Sequence, residues 1–173
     1  MGLDMYAHII KKELIGDTEQ TDIVLDTRAV KAAGFTGEVL TFEEKYSLLD
    51  KDRQIYQKKY DKYWNITQEQ KIIDNCFAYW RKFNHLHGWM EKLYYSKGGK
   101  ADSFNCVNVR LTEQDLDVLQ KQAEAMSLKP TEGFFFGTYE EFSEDDQYAV
   151  LKFVNEAREA ISNGYAVFYD SWW

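Results

Sequence analysis

Proline is nearly absent from this sequence: Pro130 is the only one in 173 residues. Together with a hydrophobic content of 45%, that argues against a disordered chain, because large apolar side chains offset the ordering entropy of the backbone. Cysteine is scarce too. Cys76 and Cys106 cannot build a disulfide framework, so a reducing cytoplasm is the expected setting, with both thiols reduced and buried. No stretch approaches the roughly 18 apolar residues that span a bilayer, and the start Met1-Gly2-Leu3-Asp4-Met5-Tyr6 lacks a basic segment followed by an apolar one. Neither membrane insertion nor secretion is expected. Basic charge is also short: 21 Lys and Arg stand against 29 Asp and Glu, a net charge of -8 that repels a phosphate backbone and disfavours non-specific nucleic-acid binding. The acids alternate with bases, as in Asp50-Lys51-Asp52-Arg53, so the regular carboxylate array of a DNA mimic is missing.

Aromatic residues are what the chain has in excess, with five Trp, twelve Tyr and eleven Phe. Most belong in a core, and the remainder suit flat ligands or protein interfaces, since Tyr and Trp join contact area to a polar handle. The length fits one domain over residues 1–173.

Residues 3 to 10 alternate Leu3, Met5, Ala7 and Ile9 with Asp4, Tyr6, His8 and Ile10, the period of a strand with one buried face. Residues 16 to 40 carry no sustained period and read as loop with short pieces of structure. Thr41 stands three residues before Glu44 as a capping box, predicting a helix over about 42–63. Thr67 and Gln70 repeat that signal. The series Ile72, Ile73, Cys76, Phe77, Trp80, Phe83, Leu86 and Met90 then predicts a second long helix ending before Gly98. Phe104 to Leu111 reads as a strand, and Thr112 with Asp115 opens a helix to about Met126. Gly133-Phe134-Phe135-Phe136-Gly137 reads as a short core strand. Ser143 caps a last helix with apolar face Tyr148, Leu151, Val154, Ala157 and Ile161, ended by Asn163-Gly164, and Tyr165 to Trp173 is a strand. This order predicts an α+β fold, a small, mainly antiparallel sheet packed against long amphipathic helices.

Chemistry concentrates in Tyr79 to Trp89. On a helix, Trp80, Asn84 and His87 share a face, so an amide and an imidazole interrupt an apolar stripe. Two readings stand: a core Asn–His pair hydrogen-bonded to backbone, or the lining of a pocket with Arg81 at its rim. Trp89 falls on the polar side and needs cover, with the 16–40 segment as the candidate. His85 and His87, two residues apart on a helix, cannot chelate one metal, and neither a cofactor motif nor a zinc pattern is present. The carboxylates Glu140-Glu141 and Glu144-Asp145-Asp146 suit the positive end of the last helix.

The start Met1-Gly2-Leu3-Asp4-Met5-Tyr6, the segment Tyr79-Trp80-Arg81-Lys82 with Asn84, His87 and Trp89, the run Gly133 to Gly137, and the ending Phe168-Tyr169-Asp170-Ser171-Trp172 span the chain. In these motifs it resembles a family of small proteins carried mostly by bacteriophages and prophages. Shorter members imply that 16–66 is an insertion. The resemblance implies a context: a non-catalytic host-takeover or anti-defence protein, in the host cytoplasm, that sequesters a nucleotide-like signal. On that reading Arg81 supplies charge, Asn84 and His87 hydrogen bonds, and Asp4, Tyr6, Trp80 and Trp172 complete the ligand-binding set. Two alternatives accompany it: a nucleotide-processing enzyme using His87 with Asp4, or a protein that inhibits a host protein through an aromatic surface.

Overall fold

The structure, a computed structural model, describes residues 2–137 and 141–173. Met1 and Glu140, which enter the sequence motifs above, lie outside the described residues. In chain order the elements are β1 (Asp4–Lys11), a 3-10 turn (Lys12–Leu14), α1 (Leu25–Ala32), α2 (Phe42–Ser47), α3 (Asp50–Glu69), β2 (Ile73–Arg81), α4 (Asn84–Ser96), β3 (Val109–Leu111), α5 (Glu113–Glu124), α6 (Glu144–Ser162) and β4 (Tyr165–Trp172). The fold is α+β, with an antiparallel sheet in the order β2-β1-β4-β3. No helix among the described residues is long and apolar enough to cross a membrane.

Two compact units divide the chain. The larger holds residues 2–23 and 75–173, the smaller 24–74. In the larger unit β1 and β4 pair from Asp4↔Trp172 to Lys11↔Tyr165, and β3 adds to the far edge of β4 with Val109↔Tyr169 and Leu111↔Val167. Side chains alternate across the sheet, so this register puts Leu3, Met5, Ala7, Val109, Val167 and Tyr169 on one face, all fully buried. That face meets α4, α5 and α6 in the main core, through Leu86 and Met90, Leu116 and Leu119, and Phe153 and Val154. Each such side chain contributes about 1.5–3 kcal/mol by leaving water. The opposite face carries Asp4, Tyr6, His8 and Ile10 with Trp172, Asp170, Phe168 and Ala166. Residues 20–22 run beside β3 through Arg110 N to Gln20 O, Asp22 N to Asn108 O, and a Thr21–Val109 bridge. Residues 16–23 therefore belong with the sheet, and the smaller compact unit begins at Val24.

In the smaller unit α1 packs on α3, and Phe35 inserts edge-on between Tyr56, Tyr60 and Tyr63 at 5.6–6.2 Å. Thr41 and Glu44 form the anticipated capping box, but the single helix expected over 42–63 is two. Leu48 and Leu49 adopt extended backbone, and α3 restarts at Asp50 and runs on to Glu69, so Thr67 lies inside a helix rather than capping one.

The largest departure follows. Residues 73–81 are strand, and only 84–96 of the anticipated second long helix is helical. Lys71 and Lys82 have positive φ, 48° and 57°, which stops α3 and separates β2 from α4. Apolar residues at 72, 73, 76, 77 and 80 satisfy a helical stripe equally well, but a segment rich in aromatic residues fits a pleated surface, and the free edge of β1 takes it. Three smaller departures follow, the first two from local backbone overriding a short pattern and the third from packing. Cys106 at φ 58° confines β3 to 109–111. Gly133–Gly137 is a turn closed by Phe136 N to Gly133 O, with Phe134 96% exposed and Phe136 buried. The face of α6 is Val150, Phe153, Val154, Ala157 and Ala160, leaving Tyr148 exposed, because Phe153 meets Trp80 and the alanines permit close approach. Both cysteines are free and, against expectation, exposed: Cys76 lies on edge strand β2 and Cys106 in its left-handed turn.

Candidate functional site

Strand alternation decides where the chemistry sits. On β2 the odd residues Tyr79 and Arg81 reach the sheet face that carries Asp4 and Tyr6, whereas Trp80 turns to the helix layer, its ring 5.0 Å from Phe153. Tyr79 donates a hydrogen bond to Asp4 Oδ1 at 2.6 Å, and Arg81 Nε lies 3.8 Å from the same oxygen. Tyr6 lies 5.3 Å from Tyr79 and stacks on His8 at 6.3 Å. His8 Nε2 is 3.1 Å from Asp170 Oδ1, an ion-pair distance without an aligned hydrogen bond. Trp172, opposite Asp4 on β4, is 52% exposed, and Tyr79 is 49% exposed.

The electrostatics follow from two carboxylates beside two phenols. The Tyr79 hydroxyl is held above its ordinary range, first by its hydrogen bond to Asp4. Tyr6 is raised by burial and then by Asp4 and Asp170. Both phenols stay protonated and act as donors at neutral pH. Among the described residues the one ion-pair contact of Arg81 runs from its Nε to Asp4, and the Arg81 side chain is itself 61% exposed, an arrangement worth little in water, so the guanidinium can turn to a ligand.

Asn84 and His87 do not join this group. They lie at the start of α4 on the other side of the sheet, both buried. His87 Nδ1 is 3.0 Å from Tyr169 Oη, and the ring lies 4.7 Å from Phe136 and 5.4 Å from Phe104. Burial pushes its imidazole down to about 4. Asn84 Nδ2 reaches Phe136 O at 3.5 Å and borders a niche of about 350 Å³ with Thr131, Glu132, Gly133 and Gly137. The buried partner of His87 is thus a phenol rather than Asn84. His87 and Asp4, the acid–base pair of the enzyme reading, are on opposite faces. Of the seven residues singled out from sequence, Asp4, Tyr6, Arg81 and Trp172 share a face, while Trp80, Asn84 and His87 lie in the helix layer.

Three residues of the cluster, His8, Tyr79 and Asp170, are not in the ligand-binding set expected from the sequence. The alternation of β1 already puts His8 beside Tyr6, so its signal was present. Among the described residues no three His, Cys, Asp or Glu side chains are grouped for a metal ion. Comparison with protein-family models, curated proteins and solved structures finds no match to the chain.

Proposed function

We propose that the protein is a non-catalytic binding protein whose ligand lies on the open end of the sheet face formed by Asp4, Tyr6, Tyr79, Arg81 and Trp172. The observation that carries this reading is the meeting of exposed Tyr, Trp and Arg side chains with two carboxylates on one face of a rigid sheet. A nucleotide-like ligand fits these groups. Its base stacks on Tyr6, Tyr79 or Trp172, its ring N–H groups meet a carboxylate, and its anionic end meets Arg81. In the bacteriophage or prophage setting that the sequence resemblance suggests, retention of such a signal is a host-takeover or anti-defence role in the host cytoplasm.

The test is to incubate the purified protein with a nucleotide panel, wash it, denature it with heat, and identify what is released by mass spectrometry. Release of an intact nucleotide is expected. Stacking is worth about 1–3 kcal/mol per base, so Tyr79→Ala should weaken retention about tenfold or more, and Arg81→Ala comparably. Retention unchanged in both variants, or no retention, rejects this reading. A chemically altered nucleotide would move the assignment to an enzyme working through His8 and Asp170. The exposure of Trp172 and Tyr79 favours one second reading, a host-protein interface, since Trp, Tyr and Arg are the residue types that dominate such contacts. Co-purification of a host protein that Trp172→Ala abolishes would select it.

A further inference from the structure

Trp89, which the sequence places on the polar side of its helix, forms part of a cleft in the helix layer. The cleft has a volume of about 440 Å³ and is lined by His85, Trp89, Lys92, Leu93 and Ser96 of α4 with Gln122, Ser127, Leu128 and Lys129 at the end of α5. Its size falls in the range of small-molecule sites. Among the described residues the lining holds two lysines and no carboxylate, in a chain of net charge -8.

Three features make this composition more than a sampling of the surface. Neither Lys92 nor Lys129 forms an ion pair among the described residues, although Lys92 partly offsets the burial that raises the neighbouring Glu91 carboxyl, whereas Lys97 is bound to Asp115 and Arg158 to Asp117 and Glu113. The C-terminal end of α5 would present negative carbonyls to the cleft, but these are occupied. Ser127 N and Oγ both donate to Gln122 O, and Gln147 Nε2 donates to Ala123 O and Glu124 O. The wall is also stiff on one side: Leu128 is buried in the main core, and His85 is buried with its ring 5.5 Å from Phe142. A half-buried indole in a cleft whose lining includes two lysines matches a flat ring that carries an anionic group.

We propose that this cleft binds a small aromatic anion, its ring against Trp89 and its phosphate or carboxylate between Lys92 and Lys129. This site is independent of the sheet-face reading, since none of its residues lies on the sheet.

The probe is phenyl phosphate, with inorganic phosphate and phenol as its separate halves, titrated into the full chain while the indole N–H signals of its five tryptophans are followed by NMR. The Trp89 signal is identified from its absence in Trp89→Phe. Phenyl phosphate is expected to move the Trp89 signal most and to bind more tightly than either half. Neutralising either lysine, Lys92→Gln or Lys129→Gln, should weaken it about tenfold, the loss of one charge-assisted contact. Both lysines are exposed, so these variants fold, and an unchanged spectrum of the remaining indoles checks it. A Trp89 signal that stays in place, binding unaffected by both lysine variants, or a response confined to Trp172 overturns the proposal. The last of these would leave the sheet-face reading intact, so the two can fail separately.

Discussion

His87→Gln removes a titrating group from the core while leaving a polar side chain beside Tyr169 Oη. In the folded protein burial pushes the His87 imidazole from 6.5 down to about 4, because a charged ring among Phe104, Phe136 and Tyr169 forfeits the hydration it has in the unfolded chain. A base whose folded value lies below its unfolded value binds fewer protons when folded, so stability rises with pH between the two. The contribution is complete above about pH 6.5 and is lost as the pH falls towards about 4. At ~1.4 kcal/mol per pKa unit, the loss reaches about 3 kcal/mol at the acid end and is about 2 kcal/mol near pH 5. Urea unfolding of the parent and the variant, each near neutral pH and near pH 5, isolates it, because carboxylate effects common to both cancel. The parent should lose about 2 kcal/mol more than the variant over that interval. The variant itself should be weaker at neutral pH by about 1–3 kcal/mol, through its altered contact with Tyr169. Equal acid losses in the two proteins would refute the argument, showing that the His87 ring takes up its proton in the fold as readily as in water.

Two further outcomes follow from packing and exposure. A Cβ at Gly88 would lie 1.6 Å from Thr131 Oγ1 and 2.6 Å from Thr131 Cβ, so Gly88→Ala should cost about 1–3 kcal/mol in thermal or urea unfolding. Adding Thr131→Gly should recover most of it, and an unaltered midpoint in the single variant would contradict the close contact. Cys76 and Cys106 are free and exposed, so both should react with a thiol reagent in the native protein, Cys106 more slowly because burial and then Asp170 raise its thiol above the ordinary range. Thiols that appear only after denaturation would count against the exposed placement.

What was legible in the sequence was whatever one local rule determines. The capping boxes at Thr41, Thr112 and Ser143 mark three true helix starts, and the alternation of residues 3–10 identifies the central strand and both its faces. The candidate site was half legible for a related reason. Asp4 and Tyr6 lie on a strand whose period is unambiguous, but residues 73–81 satisfy both periods, and the choice decides the partners. A helix groups Trp80 with Asn84 and His87; a strand sends Tyr79 and Arg81 to Asp4 and leaves the other three in the core. The hydrophobic period of those residues does not distinguish the two, and their aromatic content only leans towards the strand. The decision is made by the open edge of β1, a tertiary fact, together with two lysines in left-handed backbone.

The pairing of β1 with β4 bears on how the chain reaches this structure. Each of its eight registered pairs joins residues more than 150 positions apart, so closing the centre of the sheet costs the loop entropy of almost the whole chain before any ladder bond forms. Contacts inside 24–74, such as α1 on α3, are local and escape that barrier. During synthesis β1 emerges early with Leu3, Met5 and Ala7 uncovered, and it waits for residues 165–172 to give it a neighbour on that side. Until β4 is made, β1 presents an unpaired edge and an uncovered apolar face, so lesions in β4 should promote aggregation as well as lower stability.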